Sequence, residues 1–400
     1  MKTPTYDPVS TTSVIELLFI VPDDCTFTGF WRRNRVKADQ LRPPPRKMFM
    51  PSLYLQGKGA IYLLGQKALP YGDKAYVAGG KTALSFAGDR IRKSLMSNGI
   101  EIVGWNDSVK ECTHEVINKL ADECRRSKAH FVIGVGGGRA IDAAKAAAWK
   151  AKVPAMTVGT QCASNADASS ESVVYTDDHK YLEILVLPRN PVLVVEDTEI
   201  IAKAPPRYMI QGMGDALSCK FEAEAFAKAR QKRGDGTVPT TVALALGDQC
   251  FRSLMKYGEK AVKDAKNGIL SLDVVETIEA VKLSSALTFE NSGCALAHAL
   301  HNGLTKTGQV KGEHGEIVAY TTLVQMAYEK RPKEEIASVV KWCNSIGLPT
   351  KLAKLGTPSR PALRQAAEHA CDRDPDARNM PDRLKVPNVL EAIARIEAEF

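Results

Sequence analysis

Apolar positions along this chain follow two rhythms. From residue 74 to about 200, short strand-like runs alternate with longer runs of helical period. KAYVAGG (74–80) reads as a strand ending in glycines. TALSFAGDRIRKSLMSNG (82–99) is amphipathic with a glycine stop, IEIVGW (100–105) is strand-like, and 109–127 reads as helix. AHFVIGV (129–135), VPAMTVGT (153–160), EILVL (183–187) and VLVVED (192–197) supply further strands. Such alternation predicts a parallel sheet with helices on both faces.

After Ala204-Pro205-Pro206-Arg207 the pattern changes. MIQGMGDALSCKFEAEAFAKARQK, TVALALGDQCFRSLMKYGEKAVKDA and SLDVVETIEAVKLSSALTF have helical period and length, and few strand candidates remain. The expected organisation is an α/β domain over 51–205 and an all-helical domain over 206–400. Residues 1–50 differ from both. SVIELLFIV (13–21) contains Glu16, is too short for a membrane span, and lacks the preceding basic stretch of a signal peptide. WRRNRVKADQLRPPPRK (31–47) is basic and proline-containing, as in an extended arm or linker. The segment reads as a peripheral extension or as an arm that packs on a neighbouring subunit.

Composition narrows the class. Apolar residues make up 44% of 400 residues and charged residues 25%, as in globular proteins. Nine scattered cysteines without a CxxC pair point to reduced thiols in a cytoplasmic setting. The formal charge of +8 is mild. It argues against nucleic acid as a partner and leaves room for a cationic phosphate pocket.

The chemistry starts at GVGGGRAIDAAKAAA (134–148). An apolar strand runs into three glycines and then an alanine-rich helix. Bare backbone permits close approach of a ligand, and the helix start offers free N–H groups, so Gly136, Gly137 and Gly138 form a phosphate-binding candidate. A tight turn without a ligand also fits, and the spacing is not GxGxxG. The chain has seven histidines, three of them between 298 and 314. His298 and His301 are three apart in a helical run and share one face, and His314 follows a loop between Gly312 and Gly315. Two imidazoles with a carboxylate would suit zinc, although helix histidines also pack in cores. Asp215, in GMGDAL, reads as the start of an amphipathic helix and is either that carboxylate or an N-cap.

GVGGGRAIDAAKA, YTDDHKYLEILVLPRNPVLVVEDTEIIAKAP, GMGDAL, TFENSGCALAHALHNGL and GEHGE, in this order and spacing, resemble the zinc-dependent glycerol dehydrogenases of the iron-containing (type III) polyol dehydrogenase family. The resemblance covers roughly 51–400. It implies an α/β nucleotide-binding domain plus an all-helical domain, a fold shared with dehydroquinate synthase, with the active site in the cleft between them. It implies NAD as cofactor and Zn2+ held by Asp215, His298 and His314, with His301 lining the cleft. It also implies a polyol or hydroxyketone substrate, and a homo-oligomer, by family an octamer. Thr160 and Ser164 would join the glycines at the cofactor, and Arg139, where the family usually has lysine, would still suit a phosphate. In TQCASNADASSESVVYT (160–176), Asn165 stands where the family has an aspartate that contacts the polyol, and Asp167 where it has proline. Gly80, followed by Lys81, stands where the family carries an acidic residue on the adenosine ribose, which makes NADP use possible. The alternatives are a carbacycle-forming synthase of the dehydroquinate synthase type, or a related dehydrogenase of another alcohol or amino alcohol.

Overall fold

The alternation in the first half becomes a six-stranded parallel sheet. The computed structural model describes residues 44–230, 232 and 236–400. The expectations placed on residues 1–43 lie outside these. Residues 44–400 cluster as one compact unit. The strands are β1 (Arg46–Lys47), β2 (Tyr54–Gly57), β3 (Lys74–Gly79), β4 (Glu101–Asn106), β5 (Phe131–Gly136), β6 (Ala155–Gly159), β7 (Glu171–Tyr175), β8 (Tyr181–Val186), β9 (Leu193–Asp197) and β10 (Val238–Pro239). The helices of the α/β part are α1 (Leu64–Ala68), α2 (Lys81–Met96), α3 (His114–Arg126), α4 (Gly138–Ala151) and α5 (Thr198–Ala202). The main sheet has the order β2-β9-β6-β5-β3-β4.

Period-two patterning puts successive strand residues on opposite faces. Phe131, Ile133 and Val135 join Val77, Ile91 and Leu95 on one side, while Val132 joins Tyr76, Ile117 and Leu120 on the other. The alanines of α4 let that helix sit close to the sheet. A Cβ on Gly134 would meet the Ala144 Cβ at 2.7 Å, so strand and helix touch through the smallest residues.

The remainder is helical: α6 (Pro206–Ala229), α7 (Thr241–Lys266), α8 (Leu272–Glu279), a π-turn at Ala280–Ser284, α9 (Ser285–Ser292), α10 (Leu296–Lys306), α11 (His314–Tyr328), α12 (Lys333–Ile346), α13 (Arg360–Asp372) and α14 (Val386–Glu399). Their apolar faces share one core that includes Met213, Leu217, Phe221, Leu300, Tyr320 and Ile393. No described helix is long and apolar enough to cross a membrane.

Four expectations need correction. EILVL does not join the parallel sheet; β8 pairs antiparallel with β7 as a separate hairpin. Its apolar run is exposed at Leu182, Ile184 and Val186, which periodicity alone cannot distinguish from a buried strand. The helix expected from 109 begins at His114, where the Thr113 side chain accepts the Val116 N–H as N-cap. The second half is not wholly helical, because β10 pairs with β1. Lastly, Asp215 does not start a helix. It lies well inside α6, whose first residue is Pro206, so it is no N-cap.

Candidate active site

Three side chains converge from three helices. Asp215 projects from α6, His298 from α10, and His314 opens α11. Their ligand atoms all lie within 4.8 Å of one another. His314 Nε2 is 3.1 Å and His298 Nε2 3.4 Å from Asp215 Oδ1. Glycines allow the convergence. A Cβ on Gly315 would lie 1.8 Å from the Gln211 carbonyl oxygen, and one on Gly214 would lie 2.3 Å from the Gly315 carbonyl oxygen. The helices α6 and α11 therefore cross backbone to backbone beside Asp215. The glycines of GMGDAL and GEHGE are needed for that crossing.

His298 is held from behind by Glu222, also on α6 and two turns beyond Asp215. The Glu222 carboxylate lies 2.7 Å from His298 Nδ1, and it accepts the backbone N–H groups of Ala295 at 2.7 Å and His298 at 3.0 Å. One buried carboxylate thus caps the start of α10 and sets the imidazole tautomer with Nε2 toward Asp215. Sequence reading missed Glu222, although its spacing from Asp215 on one helix face was a usable signal. His301 Nε2 lies 3.1 Å from His314 Nδ1, and His301 Nδ1 lies 3.0 Å from Asn302 Oδ1.

Electrostatics matches this geometry. Burial works to raise the Asp215 carboxyl, but His314 and His298 outweigh it and hold the group far below the usual carboxylate range. Burial, then the neighbouring charges of His314 and His298, push His301 well below an ordinary histidine, so it stays neutral. The His314 side chain keeps 53% of its exposure while those of Asp215 and His298 keep 16%, so the cluster has one open side. Two imidazoles and one carboxylate, converging and fixed from behind, fit a divalent metal ion.

The second group of predicted residues lies at the carboxyl ends of β5 and β6, where ligands bind in open α/β sheets. Gly136 has φ +146°, outside the range side chains favour. A Cβ on Gly137 would meet Gln161 Nε2 at 2.3 Å, and one on Gly138 would meet Ser164 Oγ at 2.9 Å. The 160–168 loop therefore lies directly on the glycine turn. Thr160 N–H donates to the Gly136 carbonyl at 3.1 Å, and Asn165 Nδ2 donates to Ser285 Oγ at 2.9 Å. Arg139 is largely exposed, 3.5 Å from the Glu111 carboxylate.

The same loop touches the helical half close to the acid–histidine cluster. A Cβ on Gly212, one turn ahead of Asp215, would lie 1.9 Å from the Cys162 carbonyl oxygen. Gly80 follows β3 and is the N-cap residue of α2; Ser108 bridges to it, and a Cβ there would meet only the Val109 carbonyl, at 3.4 Å. Asp167 stands apart from the other predicted residues. Its side chain is fully enclosed and pairs with the equally buried Lys282. Lys282 and Gln161 carry no motif, so their roles were invisible along the sequence.

With this geometry in hand, the likeness to other proteins is specific. The model of the iron-containing alcohol dehydrogenase family matches residues 51–198. A glycerol dehydrogenase of Citrobacter freundii is 36% identical over 346 residues, covering 86% of this chain and 94% of its own length. The crystal structure of a probable glycerol dehydrogenase from Sinorhizobium meliloti 1021 is similar with a TM-score of 0.80 at 33% identity, covering 88% of this chain and 98% of that one. That of the glycerol dehydrogenase from Schizosaccharomyces pombe gives 0.82 at 29% identity, covering 89% and 91%.

Proposed function

The chain belongs to the iron-containing alcohol dehydrogenase family, and from that premise we propose that it is a metal-dependent oxidoreductase of the glycerol dehydrogenase type. It exchanges hydride reversibly between a nicotinamide cofactor and a small polyol or vicinal diol, glycerol or a close relative. The observation that carries this reading is the convergence of Asp215, His298 and His314 within 4.8 Å. The carbacycle-forming alternative finds no support among the relatives described above.

Zinc is the metal these ligands suit best, being two imidazole nitrogens and one carboxylate oxygen. When bound, the ion supplies Lewis acidity that lowers the proton affinity of a substrate oxygen, and the nicotinamide supplies the hydride acceptor. The protein's own groups do the rest. Glu222 holds His298 in the tautomer that presents Nε2. His301, kept neutral, accepts from His314 Nδ1–H and so leaves His314 Nε2 free to face the metal position. The free N–H groups at the start of α4, with Arg139, receive the pyrophosphate. Thr160 and Ser164 border the cofactor. Asn165, tied to Ser285, is the substrate contact; Asp167, with no exposed surface, serves the loop from inside. In this reading 51–205 and 206–400 act as the nucleotide and metal halves. A cytoplasmic homo-oligomer completes it, in keeping with eight free cysteines among the described residues.

Metal analysis combined with NADH formation from glycerol, 1,2-propanediol, 2,3-butanediol and amino alcohols tests the proposal. A zinc-loaded protein that oxidises vicinal diols is the expected result. A loaded, folded protein that turns over none of them with either NAD or NADP would sink it.

A further inference from the structure

Three ionisable side chains with no exposed surface meet beneath the 160–168 loop: Asp167 in the loop, Glu196 at the end of β9, and Lys282 on the π-turn before α9. An extra residue in a helical turn is uncommon and often marks a functional position. The ammonium of Lys282 has three N–H donors. It donates to the Ser164 carbonyl at 3.0 Å, to the Gln161 carbonyl at 3.2 Å and to the Asp167 carboxylate. All three partners belong to one short stretch of a single loop. That stretch also carries Ser164 and Asn165. The buried Lys145 of α4 donates to the carbonyls of Ala166, Ser169 and Glu171, further along the same stretch.

A buried loop must place its backbone carbonyls somewhere. Here two lysine ammonium groups receive them, one from each half of the structure. Asn165 adds a bond to Ser285, one turn beyond Lys282. We propose that Lys282 is a positioning residue for the substrate loop: it ties the carbonyls of Gln161 and Ser164 to the helical half, with Asp167 as its counter-ion, and so sets where Asn165 meets the alcohol. This rests on the dehydrogenase reading above.

One cation faces two carboxyl groups, and they differ. Glu196 is 3.8 Å from the ammonium, and neither of its oxygens has a hydrogen-bond partner among the described residues. Burial first, then the charge of Asp167, pushes the Glu196 carboxyl well above its ordinary range. Burial alone would depress Lys282, but its carboxyl neighbours, Asp167 first, outweigh it and raise the ammonium above its ordinary range. Asp167, which accepts a hydrogen bond from the ammonium, is the counter-ion of Lys282, and Glu196, at 3.8 Å without one, is the looser neighbour.

The test uses the full chain, zinc-loaded, with Lys282→Met, Asp167→Asn, Glu196→Gln and the double replacement Lys282→Met/Asp167→Leu. Removing both charges together avoids an uncompensated buried ion, so the double variant keeps the fold even where a single one fails. In the double variant the diol KM is expected to rise about tenfold or more while kcat falls less, because the loop carbonyls have lost their donor. Glu196→Gln is expected to leave KM within about twofold of the parent, since it keeps the side-chain volume and Glu196 makes no hydrogen bond to the loop. A double variant with parental KM overturns the proposal, because Lys282 would then serve only as a counter-ion. So does a Glu196→Gln variant as impaired as Asp167→Asn.

A second arm needs no turnover. In metal-free and nucleotide-free protein, amide exchange over 160–168 should accelerate by about tenfold or more in the double variant, with β5 and α11 unchanged. If the parent oxidises no diol, the dehydrogenase reading fails, and this arm alone decides the clamp. Unchanged exchange overturns it.

Discussion

Glu222→Gln isolates the least visible part of the metal position. Glu222 accepts three hydrogen bonds: two from the backbone at the start of α10 and one from His298 Nδ1. Glutamine keeps the volume and one acceptor oxygen, which can still serve the two backbone donors. Its amide nitrogen, however, would face His298 Nδ1–H as donor against donor. The imidazole relieves that conflict by moving its proton to Nε2, the atom that must be bare to ligate. Losing the outer partner of a metal-bound histidine weakens affinity by about 10–100-fold. At about 1.4 kcal/mol per factor of ten, that is roughly 1.4–2.8 kcal/mol. The assay is titration of metal-free protein against a competing chelator, with zinc and then with cobalt, whose visible spectrum reports coordination. Activity at saturating zinc should recover most of the parental rate, because no metal ligand is lost. An affinity within about twofold of the parent would refute the argument, since the carboxylate would then only cap the helix.

Four other outcomes follow from the structure. His298→Ala should abolish metal binding and activity with the fold retained, whereas His301→Ala should keep the metal; dialysed protein analysed for zinc decides both. Asn165→Asp should raise glycerol turnover relative to less hydroxylated alcohols in side-by-side kcat/KM measurements, and an unchanged ratio would remove Asn165 from selectivity. Gly80→Asp should fold normally, because the new Cβ meets only a carbonyl oxygen at 3.4 Å, and should shift preference toward NAD by about fivefold, as expected of an exposed charge interaction of about 1 kcal/mol. Glu196 binds its proton more tightly folded than unfolded, so its contribution to stability declines as pH rises above the unfolded carboxyl pKa. Glu196→Gln should therefore raise Tm more at pH 8 than at pH 5, and a pH-independent difference would show that folding does not raise the carboxyl.

What the chain reveals by itself is mostly periodic or motif-bound. The strands of β3, β5, β6 and β9 announce themselves as short, nearly continuous apolar runs because the sheet is buried on both faces, and the helices α6 and α7 by the length of their helix-forming runs. The phosphate-binding candidate and the acid–histidine set were legible because their residue types are rare in those settings and match a known family. Roles that depend on contacts between distant segments were not legible. Glu222, Gln161 and Lys282 are ordinary residues on helices or in a loop, and only packing gives them partners. Gly212, Gly214 and Gly315 read as punctuation, yet they sit where α6 crosses a loop and another helix backbone to backbone. Asp167 looked available to a substrate until the fold enclosed it with a lysine from more than a hundred residues away. The hairpin of β7 and β8 shows the same limit, because an apolar run states what it prefers to bury and not which strand it pairs with. Local pattern records the preferences of neighbours along the chain. Ion pairs, tautomers and close backbone crossings are set by three-dimensional proximity, which the tertiary structure alone decides.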